Sequence, residues 1–265
     1  MLAVAAFAAA LLSFAAVPAA TILASARGEG TRRHGPAWLR FALAVRPTLL
    51  FLTLGLTGLA ALRQPGWGEL ALLAGAALFV ALARALQPDT LFEAIHDPPA
   101  QALADAPVAA GATVLGLERG GAARAYLVET LARHAVVNDH LNGEPVLVAW
   151  SPLDESGAAF DPRVEEEGLG FRVAGFARRD LLLQDERGTI WRRSGGEARA
   201  LAGPLAGRSL AAIPVEATTW EAWRAAHPGT TLVVAPPARS RRDLSRLFPR
   251  AWILRRLAGT SRHGR

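Results

Sequence analysis

The chain has 265 residues, which is enough for one sizeable domain and an appendage. Its formal net charge is +6, and all 29 basic residues are Arg, because the sequence contains no Lys. That bias is typical of a GC-rich coding sequence, so the net charge alone does not indicate a nucleic-acid partner. The chain has no Cys, which excludes disulfide bonds, zinc sites built from thiolates and thiol nucleophiles.

Residues 1–88 carry few charges and predict a membrane anchor of about three transmembrane helices. The first candidate, Met1 to Ala26, has no charged side chain. A cleaved signal peptide is the alternative, but the usual positively charged start is missing. The other candidates, 47–62 and 70–83, are shorter than the roughly 20 residues that a spanning helix needs, so their flanks must contribute. A soluble apolar hairpin packed on the domain is the other interpretation of these two segments.

The loop after the first predicted helix is rich in Arg, which places it in the cytoplasm by the positive-inside rule. With three crossings, the large domain also lies in the cytoplasm, whereas one crossing more or fewer puts it on the extracytoplasmic side. We therefore expect a multi-pass protein of the bacterial inner membrane, with the lipid bilayer as its partner and a cytoplasmic domain.

Residues 89–235 alternate short β-rich runs with turn signals and predict one soluble domain. Asn142-Gly143, between two apolar runs, is the strongest hairpin signal, and Gly120-Gly121 marks a second hairpin. Short helices are predicted at 129–135 and after Thr218 or Thr219, either of which suits an N-cap. The expected fold class is α+β, a mostly antiparallel β-rich domain with two or three short helices.

An apolar run, 146–150, leads into the sequence Ser151-Pro152-Leu153-Asp154. Ser at the first position, Pro at the second and a short acid at the fourth are typical of a β-turn. Ser151 could also be a hydrolase nucleophile, but Pro152 follows it and the chain has no Gly-x-Ser-x-Gly elbow around it. The sequence therefore favours a structural turn at this place.

Several short motifs occur in one order along the domain: Ala123-Arg124-Ala125-Tyr126, His134 with Val137-Asn138-Asp139, the stretch 148–161, and Gly203-Pro204-Leu205 followed by Thr218-Thr219-Trp220. With these motifs, residues 89–235 resemble the domain-of-unknown-function family 3179. In that family the central turn reads Cys-Pro-Leu-Cys, which implies a redox or metal-binding centre, selenocysteine in some members, and His134 as a neighbour of that centre. Here Ser151 and Asp154 stand at the two Cys positions, so thiol exchange is impossible.

The candidate pocket is expected around this turn. Carboxylate and imidazole groups suit Mn, Zn or Fe, so a metal site with His134 and Asp154 as ligands is one interpretation, although no compact metal motif is present. The other interpretation is structural, with these side chains used for turns, caps and hydrogen bonds inside the fold. No cofactor follows from the sequence. The candidate residues are His134, Asn138, Asp139, Ser151, Asp154 and Asp161.

Residues 236–265 form an Arg-rich tail. From Arg239 to Arg265 there are nine Arg and one acid, with apolar side chains between them. This composition predicts an amphipathic segment on a membrane surface, with anionic lipid head groups as partners. A disordered basic end is the alternative, and no specific nucleic-acid partner is predicted.

Together these features predict a membrane-anchored binding or interaction module that derives from a thiol-redox or metal-handling family and has lost the Cys centre. The alternative is a metal-dependent or other non-thiol enzyme that uses the pocket around His134 and Asp154. Clustering of the candidate side chains in one cleft would favour the enzyme. Side chains that are occupied by local hydrogen bonds would favour the module. No protein partner follows from the sequence.

Overall fold

A computed structural model describes residues 48, 51–59, 62, 66–85, 89, 92–102, 108–177 and 180–234. The chain forms two compact units, Met1–Leu91 and Phe92–Arg265. In the first unit, residues 51–59 are helical and helix α1 covers Trp67–Ala85.

Among the described residues, no helix is long and apolar enough to cross a membrane. The transmembrane helices predicted at 47–62 and 70–83 are thus not confirmed. The first predicted helix, Met1 to Ala26, and the tail at 236–265 lie outside the described residues.

In the second unit, the described residues form short strands and the two short helices α2 (Val128–His134) and α3 (Trp220–Ala226). The strands are β1 Ile95–His96, β2 Ala100–Ala102, β3 Thr113–Arg119, β4 Ala122–Leu127, β5 Val136–Leu141, β6 Glu144–Ser151, β7 Ser156–Asp161, β8 Arg163–Val164, β9 Glu167–Gly168, β10 Phe171–Ala177, β11 Asp180–Asp185, β12 Ile190–Ser194, β13 Glu197–Ala202, β14 Ser209–Ile213, β15 Glu216–Thr219 and β16 Thr231–Val233.

The strands build a nine-stranded sheet, in the order β1-β5-β6-β7-β14-β13-β12-β11-β10, and a five-stranded sheet, in the order β15-β3-β4-β16-β2. Strands β8 and β9 pair separately. Neighbours are antiparallel except for the parallel pairs β1–β5 and β16–β4. The predicted α+β domain, mostly antiparallel, is confirmed.

The predicted hairpins are present, and their turns explain the Gly residues. Strands β5 and β6 pair from Val136 to Leu141, and the backbone turns at Asn142 and Gly143 with φ angles of 52° and 79°. Two successive positive φ angles are the geometry of a type I′ turn, which matches the twist of the two strands. The β3–β4 hairpin turns in the same way at Gly120 and Gly121.

The main core lies between the two sheets. Leu115 and Tyr126 of the five-stranded sheet pack in one buried cluster with Val137 and Val148 of the nine-stranded sheet. Alternate side chains of a strand point to opposite faces, so β3 buries one set of residues here and the other set on the far side of its sheet. The removal of apolar surface from water is the main source of stability for such a layered arrangement.

Helix α3 covers the far face of the five-stranded sheet. Its N-cap is Thr219, whose side-chain oxygen accepts a hydrogen bond from the backbone N–H of Ala222 at 3.2 Å. This confirms the predicted helix start. Trp220 and Trp223 pack with Val114 of β3, and a Cβ on Gly116 would overlap the Trp223 ring. Gly116 therefore leaves the space into which Trp223 packs.

Candidate functional site

The turn between β6 and β7 contains Ser151 and Asp154, around which the sequence predicted a pocket. Ser151 pairs with Ser156 across the two strands, and the chain turns through the four residues between them. Ser151 and Pro152 are buried. The backbone N–H of Leu153 donates to Ser151 Oγ at 3.4 Å, which closes the start of the turn as its Ser-Pro sequence predicts.

Asp154 lies on the outer side of this turn. Its Oδ1 accepts hydrogen bonds from the backbone N–H of Ser156 at 3.3 Å and from the Ser156 hydroxyl at 2.8 Å. The side chain is 30% exposed, and Oδ1 lies 3.6 Å from Nη1 of Arg193. Asp154 is therefore partly occupied by its own turn and forms only a long ion pair with the arginine.

Arg193 on β12 brings a buried positive charge to the same turn. Its side chain is 1% exposed, and Nη2 donates to Ser156 Oγ at 2.8 Å. Burial lowers the pKa of Arg193 from its usual value, while the negative charges of Asp154 and Asp180 oppose that shift. Among the described residues, its Nε is the single buried side-chain nitrogen or oxygen atom without a hydrogen-bond partner.

The sequence reasoning missed Arg193. Residues two apart on a strand share a face, so a buried Trp191 places Arg193 on the buried side of β12 and Arg192 on the other side. The pairing of Leu183 with Trp191 and of Leu181 with Arg193 follows the same alternation. The alternation around Trp191 was thus a signal that could have singled out one arginine of the pair.

Asn138 forms a link between distant strands. Its side-chain oxygen accepts from the backbone N–H of Phe171 at 2.8 Å, and its amide nitrogen donates to the carbonyl oxygen of Phe171 at 2.9 Å. Phe171 begins β10, the last strand of the nine-stranded sheet, whereas Asn138 is on β5, next to the first. The amide group therefore joins the two ends of the sheet through one donated and one accepted hydrogen bond.

Asp139 is buried in an ion pair. Both carboxylate oxygens lie 2.7 Å from Nη1 of Arg124, and Oδ2 accepts from the Tyr126 hydroxyl at 2.7 Å. Oδ1 also accepts from the backbone N–H of His140. Burial raises the pKa of Tyr126 well above its usual value, and the nearby negative charge of Asp139 adds to this. The network satisfies the carboxylate with partners from β4 and β5.

Asp161 ends β7 and binds two arginines. Arg119 donates to it from Nη2 at 2.6 Å, and Arg163 donates from its guanidinium and its backbone. Partial burial would raise the pKa of Asp161, but the hydrogen bonds from Arg163 and Arg119 outweigh it and hold that pKa far below its usual value. Arg119 also donates to Glu144 at 2.8 Å, so these bonds join β3, β6 and β7.

His134 is the last residue of α2. Its Nδ1 lies 2.8 Å from the carbonyl oxygen of Glu93, which can only accept, so Nδ1 carries the proton in this contact. The backbone N–H of Trp150 donates to the carbonyl oxygen of Ala135, which brings the end of α2 beside the end of β6. His134 therefore lies next to the start of the Ser151–Ser156 turn.

The other candidates lie farther from the turn. Asn138 is paired with Leu147, four residues before Ser151, and Asp161 is five residues after Ser156. At about 3.3 Å per residue these separations are roughly 13 and 16 Å along the strands. In the part of the chain that the structure describes, no group of three or more His, Asp or Glu side chains is arranged to hold a metal ion.

The comparison with known proteins places the domain in a family. The family model described as "Protein of unknown function (DUF3179)" matches residues 92–248, which is more than half of the chain. The chain belongs to this family. No curated protein and no solved structure matches it.

The turn of this DUF3179 domain offers a distinct set of groups. A buried guanidinium on Arg193, a partly exposed carboxylate on Asp154 and the hydroxyl of Ser156 are joined by two hydrogen bonds and a long ion pair. A guanidinium with an N–H that has no acceptor is suited to binding a planar anion. In the structure, this arrangement is an electrostatic contact that joins β12 to the turn between β6 and β7.

Proposed function

We propose that the chain is a membrane-associated binding or interaction module, whose central turn has lost the thiol centre that the family resemblance implies. The observation that carries the proposal is how the side chains of the predicted pocket are used. Asn138, Asp139 and Asp161 each hold parts of the fold together through several hydrogen bonds. Groups bound in this way stabilise a scaffold, as expected of a module whose candidate side chains are occupied by hydrogen bonds inside the fold.

The replacement of the family's Cys-Pro-Leu-Cys turn supports the same reading. Ser151 and Asp154 stand where the resemblance places the two thiols, and the whole chain has no Cys. Disulfide exchange and thiolate ligation both require sulfur or selenium, so neither reaction is open to this turn. What the turn retains is its shape and its pair with Arg193. A turn with that shape and that charge can still recognise a ligand.

Membrane association is supported by the apolar surface of the first unit. Leu62 and Trp67 are 84% and 90% exposed, and Phe51 and Leu78 are also largely exposed. Large apolar side chains exposed in this number are unfavourable in water and are suited to contact with lipid. The lipid bilayer is therefore the proposed partner of this unit, while anionic head groups as partners of residues 239–265 and a cytoplasmic side for the domain stay predictions from the sequence.

The test measures the metal content of the full-length chain, purified in detergent, beside a His134→Ala, Asp154→Ala double variant. A binding module without a metal centre is expected to contain substoichiometric metal and to melt at nearly the same temperature in both forms. A matched control replaces His140 and Asp97 by Ala, because these form an exposed His–Asp pair away from the turn. Near-stoichiometric metal in the wild type, lost only in the first variant, would overturn the proposal in favour of a metal-dependent enzyme.

A further inference from the structure

The two units differ in the surface that they expose. Among the described residues, the large apolar side chains that are exposed all lie in the first unit, at Phe51, Leu52, Leu54, Leu59, Leu62, Trp67, Leu70 and Leu78. The described part of the second unit, from residue 92 to residue 234, exposes no large apolar side chain. A soluble domain normally keeps its exposed apolar patches small. The surface of the first unit is therefore suited to a partner other than water.

In the helical segment 51–59, exposed and buried residues occupy opposite sides. Thr53 and Thr57 are 0% and 4% exposed and lie four positions apart, so they share one side of the helix. The Thr57 hydroxyl donates to the carbonyl oxygen of Thr53 at 2.7 Å, which satisfies this hydroxyl within its own helix. At about 100° per residue, the exposed positions span an arc of roughly 160°, and they are Phe51, Leu52, Leu54, Gly55 and Leu59. The large apolar side chains are thus outside and the hydroxyl-bearing side chains are inside.

Helix α1 shows the same distribution. Ala76 is 2% exposed, whereas Leu78 and Trp67 are 69% and 90% exposed. At about 100° per residue, the exposed positions that the structure describes in α1 span roughly half of its circumference. They carry no charge, and they are Trp67, Gly68, Leu70, Ala71, Ala74, Gly75, Ala77, Leu78 and Ala81. A helix on the surface of a soluble domain would carry polar or charged side chains on such a face.

The width and the chemistry of these two exposed faces indicate which partner fits them. The apolar stripe that a helix buries against protein is typically about 100° wide, whereas acyl chains contact the whole side that faces away from neighbouring helices. Helices in a bilayer pack through Gly, Ala, Ser and Thr, because lipid tails are as apolar as Leu and burying large apolar side chains gains little there. The buried Thr53, Thr57 and Ala76 follow that rule. Acyl chains therefore fit the exposed faces better than a protein groove does.

We propose that the first unit inserts among the acyl chains of a bilayer through the exposed faces of segment 51–59 and helix α1, and that this contact requires no anionic head groups. The inference rests on the proposed function, because it states how a membrane-associated module contacts its bilayer. Trp67, the first residue of α1, lies at the level of the head groups, where an exposed indole is favoured. The uncharged faces explain why the contact is apolar and not electrostatic.

The experiment uses the absence of Cys from the chain, because a single introduced Cys can then carry a nitroxide spin label at a chosen position. Leu54→Cys and Leu78→Cys place the label on the two exposed faces, and Ser209→Cys places it on an exposed residue of β14 as the control. Each labelled full-length chain is reconstituted into vesicles of neutral phosphatidylcholine. Electron paramagnetic resonance then measures how often the label collides with oxygen, which concentrates among acyl chains, and with a polar nickel chelate, which stays in water.

The two reagents distinguish three surroundings of the label. We expect the labels at positions 54 and 78 to collide several-fold more with oxygen than with the chelate, and the label at position 209 to show the reverse preference. If the labels at 54 and 78 were as accessible to the chelate as the label at 209, the exposed faces would lie in water and the proposal would be overturned. Shielding from both reagents would also overturn it, because a second copy of the chain or another protein would then cover these faces.

The lipid composition tests the second half of the proposal. Vesicles that also contain phosphatidylglycerol are expected to give the same accessibilities as neutral vesicles. Insertion of the labels only in the anionic vesicles would contradict the proposal and would assign the contact to electrostatic attraction.

Flotation of the vesicles separates this inference from the proposed function. A chain that floats with neutral vesicles while both labels remain in water refutes the insertion alone. A chain that does not float with vesicles of either composition refutes membrane association, and near-stoichiometric metal that the His134→Ala, Asp154→Ala variant loses refutes the binding module.

Discussion

Two of the Arg–Asp pairs in the domain, Arg124–Asp139 and Arg193–Asp154, differ in how completely their groups are bound. Arg124 and Asp139 meet at 2.7 Å, with side chains 14% and 3% exposed, and Tyr126 and a backbone N–H satisfy the remaining carboxylate positions. Arg193 and Asp154 are 3.6 Å apart, and one donor of the arginine has no partner. A complete buried pair fixes the scaffold, whereas an incomplete pair leaves a buried donor unsatisfied and adds less to stability.

The largest effect is expected from breaking the complete pair with Asp139→Asn. The amide has no charge to balance Arg124 and directs N–H groups at other donors, so the free energy of unfolding is expected to fall by about 3–5 kcal/mol. Urea unfolding of the full-length chain, followed by Trp fluorescence, measures this fall.

A matched control for that variant removes the exposed helical ion pair between Arg133 and Glu129 with Glu129→Ala. Exposed pairs of this spacing contribute only about 0.3–0.5 kcal/mol, so the urea midpoint is expected to move little. If Asp139→Asn and Glu129→Ala unfolded at the same urea concentration, the buried pair would contribute no more to stability than the surface pair, and the prediction would be wrong.

The next largest effect is expected at Asn138, whose side chain is also held inside the fold by hydrogen bonds. Asn138→Ala leaves both the N–H and the carbonyl of Phe171 without partners, which is expected to cost about 2–4 kcal/mol. Asn138→Asp retains the acceptor for the Phe171 N–H, but its second oxygen faces the Phe171 carbonyl, which is also an acceptor. This variant is therefore expected to restore little or none of the stability lost in Asn138→Ala. Melting temperatures of the three proteins check this order, and an Ala variant as stable as the wild type would contradict the role of Asn138.

Sequence patterns predicted those parts of the fold that depend on local backbone chemistry. Asn142-Gly143 and Gly120-Gly121 turn as predicted because positive φ angles favour Gly and Asn. Thr219 caps its helix because a hydroxyl can satisfy an exposed backbone N–H. The family resemblance located the Ser151–Asp154 turn, and the family match over residues 92–248 supports the identification.

Contacts between residues distant in the sequence could not be predicted in this way. Asn138 bonds to Phe171, which is 33 positions away, and Arg193 bonds to Ser156 across 37 positions. Such contacts depend on how the nine-stranded sheet orders its strands, and strand order is not encoded in the alternation of any single strand. The sequence consequently grouped Asn138, Asp139 and Asp161 with the turn and left out Arg193.

The smallest effect on stability is expected from Asp154→Asn, the same substitution in the incomplete pair. Asp154 is 30% exposed and lies beyond hydrogen-bond length from Arg193, so its charge contributes little, and the Asn oxygen can still accept from Ser156. We expect the free energy of unfolding to change by about 1 kcal/mol or less. A loss as large as that of Asp139→Asn, measured in the same urea series, would show that Asp154 already completes the pair. In that case the two pairs would differ in geometry but not in their contribution to stability.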